Sequence, residues 1–375
     1  MSGRNSQLTE SLKAEARRLG FSLIGIAPAV TPLGFSHFSE WLDSGCAGEM
    51  HYLPKRRAAY EHPRHVLENV RSLVIMGLSY DSGVESTNQP GFGRVARYAW
   101  GNADYHDLIF EKLDRLAEWV ATAAPEAKSR GVVDTAPLLE REFAQLAGLG
   151  WQGKNTMLIN PTSGSYFFLA AMLLDIVLVY DEPHTTDHCG TCTRCLEACP
   201  TNAFIAPRIL DARKCISYLT IELRSEIPTE LRPAMGNWLF GCDICQEVCP
   251  WNRFSEPSDE PAFRPHEPDG LENLQQLFEL DDEGFRTRFR DTPLWRPKRR
   301  GLLRNAAIVL GNQRCEAAMP ALVRGLNDVE PLVRGASAWA LHQISGEVAI
   351  QALQARELIE VDQNVLHELR SDRSV

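Results

Sequence analysis

The chain has 375 residues, 44% of them hydrophobic, which is long enough for two or three domains and too apolar for a disordered chain. Its 39 basic residues against 49 acidic ones leave a net charge of −10, excluding a wholly basic nucleic-acid coat while permitting a local basic patch. The longest apolar run, from Tyr166 to Leu174, stops at Asp175, short of the roughly 18 residues a membrane-spanning helix needs, and the N-terminus has no apolar signal segment, so a cytoplasmic protein is expected.

Leu8, Leu12, Ala16 and Leu19 recur at helical spacing and predict a helix over 8–20, after which 21–27 reads as a strand. Further strands are predicted at 72–78, 131–133, 156–159 and 166–179, with helices at 105–124 and 137–147. That alternation points to an α/β or α+β fold. The run from Arg97 to His106 concentrates donors, aromatics and an imidazole ahead of a helix, where it could line a pocket or simply cap the helix through Asp104. Asp134 stands where a short apolar strand ends and a helix begins, a position that suits chemistry and helix capping alike. The segment from Gly148 to Asn155 matches G-x-G-x-x-G and nearly matches a phosphate loop. It follows a helical run instead of a strand, however, and position 155 offers no hydroxyl for magnesium, so nucleotide binding is not expected.

Eight of the ten cysteines fall between Cys189 and Cys249, a cluster that suggests metal rather than disulfides in a cytosolic chain. Cys189, Cys192, Cys195 and Cys199-Pro200 form the C-x2-C-x2-C-x3-C-P run of a bacterial ferredoxin, in which the fourth thiolate serves the other cluster. Cys242, Cys245 and Cys249-Pro250 form a shortened second run, and Cys215 completes the count. The crossed ferredoxin pattern assigns Cys189, Cys192, Cys195 and Cys249 to a first [4Fe–4S] cluster and Cys199, Cys215, Cys242 and Cys245 to a second. Structural zinc and disulfides fit the two C-P endings poorly. Cys46 and Cys315 read as ordinary thiols, and His184 and His188 as solvated loop residues. Two clusters relay single electrons but perform no bond chemistry themselves, so a substrate site is expected elsewhere.

Residues 254–270 are rich in proline and acids and read as a linker. Beyond it, 286–304 carries eight basic residues against Asp291 alone, a local +7 that fits a phosphate-backbone contact or a solvated basic helix face. Ala306–Leu310 with Pro320–Leu322, and Ser337–Leu341 with Gln351–Leu353, are self-similar at a shift of 31 residues and predict two HEAT-like helix pairs. Two repeats are too few to stand alone, so they are expected to pack on the core.

Taken together, Val133-Asp134-Thr-Ala-Pro-Leu-Leu-Glu140-Arg141, Gly148-Leu-Gly-Trp-Gln-Gly-Lys154-Asn155-Thr156, Cys215-Ile-Ser217-Tyr-Leu-Thr-Ile-Glu222 and Trp238-Leu-Phe-Gly-Cys242-Asp243-Ile-Cys245-Gln, with the cassette, closely resemble the epoxyqueuosine reductase family over roughly residues 8–310. In this chain the stretch before Tyr105 is one residue longer, at Asn102-Ala103, than the family pattern. The resemblance implies an α+β protein in three parts. A cobalamin-binding catalytic domain (1–180), reductive-dehalogenase-like in fold, would be followed by a ferredoxin-like domain holding two [4Fe–4S] clusters (181–255). A linker, a basic segment and HEAT-like repeats that meet tRNA (256–375) would complete the chain.

The implied reaction reduces the epoxide of epoxyqueuosine at the tRNA wobble position to queuosine, the last step of queuosine biosynthesis, with electrons relayed through the clusters to cobalamin. Asp134 would be the proton donor, assisted by Tyr105 and His106, and an apolar pocket would keep its carboxyl protonated. Cobalamin contacts would fall on Arg57, Arg97, Asp134, Lys154, Asn155, Thr156, Ser217 and Asp243. Contacts to tRNA would fall on Glu222, Arg224, Lys298, Arg299, Arg300 and Arg304. The implied partners are tRNA bearing epoxyqueuosine in its anticodon loop and a low-potential donor such as flavodoxin or ferredoxin, acting on a monomer away from any membrane. A small-molecule reductase of the dehalogenase type is the rival reading, disfavoured by the basic, repeat-bearing C-terminus. A ferredoxin-like carrier would not need some 180 residues before its cassette.

Overall fold

The computed structural model describes residues 2–85, 87–264 and 270–371. Its N-terminal part is built on an antiparallel sheet ordered β1 (Leu23–Pro28), β2 (Ser72–Ser79), β7 (Phe167–Leu174), β4 (Ser129–Val133). The two central strands, β2 and β7, pair along their whole length, and both are buried almost throughout because helices cover both faces. One face takes α1 (Ser2–Arg18) and α4 (Tyr105–Ala123), whose Leu12, Ala16, Ile109, Leu113 and Leu116 pack on Val74, Met76 and Met172. The other takes α5 (Glu140–Leu146), with Phe143 and Ala144 against Leu73, Ile75 and Leu173. Gly25 permits this packing, because a Cβ there would lie 2.0 Å from the carbonyl oxygen of Ala147. The end of α5 is thereby seated on β1, and its start fixes the loop that carries Asp134. Two short helices, α2 (Phe35–Asp43) and α3 (Tyr52–Lys55), fill the connection from β1 to β2.

The antiparallel pairing settles the class as α+β. The segment from Gly148 to Asn155 leaves α5 for the hairpin β5 (Trp151–Gln152) and β6 (Leu158–Ile159) and opens no helix, as its context requires. Strand β7 ends at Leu174, five residues before the expected end, where the Asp175 carboxylate accepts the Lys128 N–H and turns the chain.

The cassette contributes only short elements: α6 (Arg194–Glu197), the hairpin β8 (Phe204–Ala206) and β9 (Ile209–Leu210), α7 (Ile216–Ile221) and α8 (Ile244–Glu247). A three-stranded sheet then joins distant parts of the chain. In it β3 (Phe92–Val95) runs parallel to β10 (Trp238–Phe240) and antiparallel to β11 (Leu271–Asn273).

C-terminal to this sheet lie α9 (Leu274–Leu277), α10 (Asp282–Phe289), α11 (Lys298–Asn312), α12 (Met319–Gly325), α13 (Pro331–Ile344), α14 (Glu347–Glu357) and α15 (Gln363–Arg370). The predicted repeat is present: α11 and α13 are packed side by side, followed in turn by α12 and α14. As expected of so short an array, it shares one hydrophobic core with α7, β3 and β10, through residues such as Leu302, Ile308 and Leu341 against Leu219 and Phe240.

The expected linker is pinned down where it is described. Phe263 is buried in the N-terminal core, Glu260 pairs with Lys112 at 3.0 Å, and the Ser258 N–H bonds the Asp81 carbonyl. Its remainder, 265–269, lies outside the described residues. No helix among the described residues is long and apolar enough to cross a membrane.

Candidate active site and cysteine cassette

Asp134 follows directly on β4, and α4 begins opposite it with Asp104 as its N-cap. The two loops bring four side chains into a hydrogen-bonded line. Nδ1 of His106 lies 2.6 Å from Oδ1 of Asp104, its Nε2 lies 2.7 Å from Oδ1 of Asp134, and the Tyr105 hydroxyl donates to the other Asp134 oxygen. The capping reading of the segment from Arg97 to His106 holds, since Asp104 also accepts the His106 backbone N–H. Tyr105 stacks on Phe168 at 4.2 Å and meets Tyr98 edge-on at 5.9 Å, an aromatic wall that fixes its hydroxyl.

Asp134 keeps 46% of its side chain open to solvent. Burial is nonetheless the largest influence on its carboxyl, the combination produced by the floor of a cleft. The net shift is opposite to the expected one. Burial alone would raise Asp134, but the hydrogen bond and charge of His106, the Tyr105 hydroxyl and the charge of Arg296 bring it below the ordinary carboxylate range. His106, opposed by burial but bonded to two carboxylates, is pushed up to about 9. Near neutral pH the proton thus resides on the imidazole and Asp134 is ionised. Tyr105 is held far above its usual range by burial and by Asp134, so it stays a donor.

Beside this line lies a carboxyl that the sequence did not single out. Glu140, the first residue of α5, has a buried Oε1 without a hydrogen-bond partner, and burial followed by the Asp134 charge raises it to about 8. On the opposite rim Arg296 makes a two-point pair with Glu222 (3.0 and 3.3 Å) and accepts from Arg224 through its carbonyl. Tyr52, pushed up to about 12 by burial, feels Glu222, Arg296 and Asp134 together, so this rim lies near the Asp134 line.

The neighbours of the cysteines run mostly within the two expected sets, with Cys245 also feeling Cys195. Burial raises the Cys195 thiol, with Cys249, Cys189 and Cys192 the neighbours that add to it. Cys215 is raised by burial and then by Cys199, whereas Cys242 and Cys245 are driven well up by burial and both feel Cys215. Cys189, Cys192, Cys195 and Cys249 line one cavity of about 50 Å³ with Lys154, Asn155, His188, Arg194 and Trp251. Four thiols around one hollow, with no carboxylate among its lining residues, are a donor set suited to an iron–sulfur cubane. Around the first group His188, Gly190, Thr191, Thr193 and Arg194 are exposed, while around the second Ile216, Phe240, Gly241, Asp243 and Gln246 are buried. The first site is therefore the outer one.

Several residues expected to touch cofactor or RNA have other partners. The Lys154 ammonium donates to the carbonyls of Gly190 (2.7 Å) and Cys192 (2.9 Å), stitching the outer cysteine loop together. Asn155, buried, donates to the Cys245 carbonyl at 3.2 Å, and Thr156 forms a left-handed turn whose carbonyl accepts from Arg141. Asp243, raised to about 7 chiefly by burial, accepts the Arg97 backbone N–H at 2.7 Å, and the Arg97 guanidinium bonds the Val84 carbonyl. Arg57 pairs with Asp43, while Ser217 sits half-buried on α7 beside Cys215.

Arg304 and Arg299 are corrections within the predicted RNA-binding set. Arg304 is 1% exposed and donates to the carbonyls of Leu219, Leu223 and Ser225, so it fastens α11 to the cassette. Arg299 is taken up by Asp328 and the Leu280 carbonyl. Exposed cations remain at Arg296, at Lys298, which lies over the Trp295 ring, and at Arg300, with Arg224 beside them. His184 and His188 lie in a loop, with His188 exposed as expected and His184 partly covered. The Nε2 of each meets the Thr186 hydroxyl, and both rings pack on Trp151, with His188 also against Trp251.

An outer and an inner four-cysteine site, set against a cleft with its own proton store, define an iron–sulfur oxidoreductase. Residues 188–252 match the 4Fe-4S double cluster binding domain, 61–135 match Epoxyqueuosine reductase QueG, DUF1730, and 299–370 match HEAT repeats. An epoxyqueuosine reductase of Cellulophaga algicola is 41% identical over 79% of this chain and 96% of its own length. The chain belongs to the epoxyqueuosine reductase family. A crystal structure of an epoxyqueuosine reductase with an epoxyqueuosine-modified tRNA-Tyr stem loop superposes with a TM-score of 0.90 at 31% identity, covering 97% of both chains. A Bacillus subtilis epoxyqueuosine reductase, solved with its aspartate-bearing catalytic loop swung out of the active site, superposes at 0.89 with 30% identity over 97% of both.

Proposed function

We propose that this chain catalyses the reaction of its family on tRNA. The epoxide of epoxyqueuosine at the wobble position is opened, and its oxygen leaves as water, taking up two electrons and two protons. The observation that carries this reading is the line Asp104–His106–Asp134–Tyr105 on a cleft floor, in a chain whose cassette supplies eight thiolates.

Cobalamin fits the cleft by chemistry: an aromatic wall and polar groups without protein partners, such as Glu140 Oε1, suit a large macrocycle fringed with amides. When bound, it supplies a strongly nucleophilic low-valent cobalt able to attack an epoxide carbon. Ser217 and the turn at Asn155 and Thr156 would border it, with Arg57 and the loop held by Arg97 and Asp243 further out.

The remaining work belongs to side chains. The His106 imidazolium gives its proton to Asp134 through the 2.7 Å contact, and Asp134 relays it to the departing oxygen. Tyr105 holds the second Asp134 oxygen, so the carboxylate presents one geometry. Arg224, Arg296, Lys298 and Arg300, with Glu222 orienting Arg296, form the rim for the phosphates of an anticodon arm, whose wobble base must be splayed out to reach the floor. The division of labour follows the three segments: 1–180 for catalysis, 181–255 for electrons from a reduced flavodoxin or ferredoxin, and 256–375 for tRNA. The protein would work as a cytoplasmic monomer.

The test is to incubate the anaerobically reconstituted protein, with cobalamin and a chemical reductant, with epoxyqueuosine-containing tRNA and weigh the digested nucleosides. Loss of one oxygen atom, dependent on cobalamin, is the expected result. An unchanged mass in protein holding both clusters would overturn the reading and favour a small-molecule substrate.

A further inference from the structure

The outer cysteine site has a rim of its own. Arg194, the residue before Cys195, lines the cavity, is exposed and makes no side-chain hydrogen bond or ion pair among the described residues. Arg253, three residues beyond Pro250, is exposed and lies over the Phe254 ring at 4.5 Å, and Phe254 in turn packs on Trp251 in the cavity wall. Lys154 adds a third positive charge within the wall, and no carboxylate lines the cavity.

Of the acids in this stretch, Asp187 pairs with Arg208 and accepts the Cys189 N–H, and Glu197 accepts from the Thr193 hydroxyl. Arg208 also ties the hairpin of β8 and β9 to this edge, through its backbone N–H to the Lys154 carbonyl and its Nε to the Gln152 carbonyl. That hairpin presents Ile205 and Ile209, 61% and 47% exposed, beside the charged mouth. A positive rim with an apolar shoulder, in a chain of net charge −10, is a local reversal that steers a negatively charged protein toward this cavity.

We propose that the face formed by Arg194, Arg253, Phe254, Ile205 and Ile209 is the docking surface for a small acidic one-electron carrier protein, of flavodoxin or ferredoxin type. This rests on the reading that the four outer cysteines hold a cluster through which electrons arrive. The partner must come within tunnelling distance of that cluster, and the exposed residues around Cys189, Cys192 and Cys195 allow it, whereas Gly241, Asp243 and Gln246 beside Cys242 and Cys245 are buried. The stoichiometry closes with two dockings per turnover. Each reduced carrier gives up one electron and leaves oxidised, and the two electrons with two protons convert the epoxide to an alkene and water.

The test uses the full chain with both clusters in place. Its binding to an acidic flavodoxin is measured by calorimetry at low and high salt, for the native protein and for Arg194→Glu and Arg253→Glu, with cluster content followed by visible absorbance. Each reversal should weaken binding by about tenfold or more at low salt, flatten the salt dependence, and raise the carrier KM by a similar factor. In Arg253→Glu, which lies outside the cavity wall, turnover driven by a chemical reductant should not change. Unchanged carrier affinity in cluster-replete variants would overturn the proposal, as would a loss of tRNA binding in its place, which would make this face an RNA contact. Failure of chemically driven epoxide reduction in native protein would instead sink the reaction assigned above, whatever the carrier does.

Discussion

Nε2 of His106 and Oδ1 of Asp134 lie 2.7 Å apart, and the proton between them sits on the imidazole. With His106 raised to about 9, the pair is charged as imidazolium and carboxylate throughout the neutral range and loses its store only as pH rises through about 9. Turnover should therefore hold from neutrality and fall along a basic limb near that value. His106→Asn should lower turnover by about 10²-fold or more and remove that limb, and Asp134→Asn should abolish turnover while cluster and cobalamin content stay native. A basic limb surviving in His106→Asn would exclude the imidazole as the proton store.

Glu140 predicts an unusual pH dependence of stability. Its carboxyl ionises near 4.5 in the unfolded chain but near 8 in the fold, so the unfolded state loses its proton first and stability falls as pH rises between those values. Glu140→Gln, which mimics the protonated form, should raise the melting temperature of the cofactor-free protein by several degrees near pH 8 and by little near pH 5. Equal gains at both values would show that the carboxyl is not desolvated.

Glu360 carries the opposite sign. Its carboxylate is lowered to about 2: burial opposes ionisation, but Arg334, the Asp362 N–H and Arg356 outweigh it. The resulting stabilisation is present above about 4.5 and is lost as pH falls toward 2. Glu360→Gln should destabilise the C-terminal helices by about 3–5 kcal/mol, because it leaves Arg334 buried without its counter-charge. Denaturant unfolding at neutral pH measures this directly.

Arg304→Ala and Lys298→Ala separate stability from RNA binding. Arg304 satisfies three carbonyls, those of Leu219 and Leu223 buried, so its removal should cost about 3 kcal/mol or more, with tRNA affinity of the folded fraction unchanged. Lys298→Ala should leave stability alone, weaken tRNA binding, and reduce the slope of log K against log salt by about one. Weakened tRNA binding in folded Arg304→Ala would reverse this assignment.

The crossing of the cassette can be read by spectroscopy. Although Cys249 belongs to the second run, Cys249→Ser should disturb the outer cluster, whereas Cys199→Ser, in the first run, should disturb the inner one. Electron paramagnetic resonance of the reduced variants distinguishes these from the uncrossed arrangement.

The cassette was legible in the sequence because its chemistry is local: spacings of two and three residues bring thiolates together with little help from the rest of the fold. The central strands and the helix repeat were legible for the same reason, since apolar periodicity reports burial. What the sequence hid was environment. Asp134 reads as an acid at the end of a strand, but its ionisation depends on His106 and on Arg296, which only the fold brings near. Arg304 reads as part of a basic run, yet it lies in a helix buried on all sides, and the flanking Leu302, Leu303 and the stretch from Ala306 to Leu310 were the available clue. The strands β3, β10 and β11 escaped notice because three or four residues are too few for alternation to register.

The small sheet made by those three strands has a consequence for how the protein is born. Arg94 finds its neighbours at Trp238 and Leu271, so β3 leaves the ribosome long before either partner exists. Until then it is an unpaired edge, able to pair with another nascent chain. Completion of the sheet is thus a late, high-contact-order event that closes the molecule. Truncation before Leu271 should accordingly leave an aggregation-prone fragment rather than a working smaller enzyme.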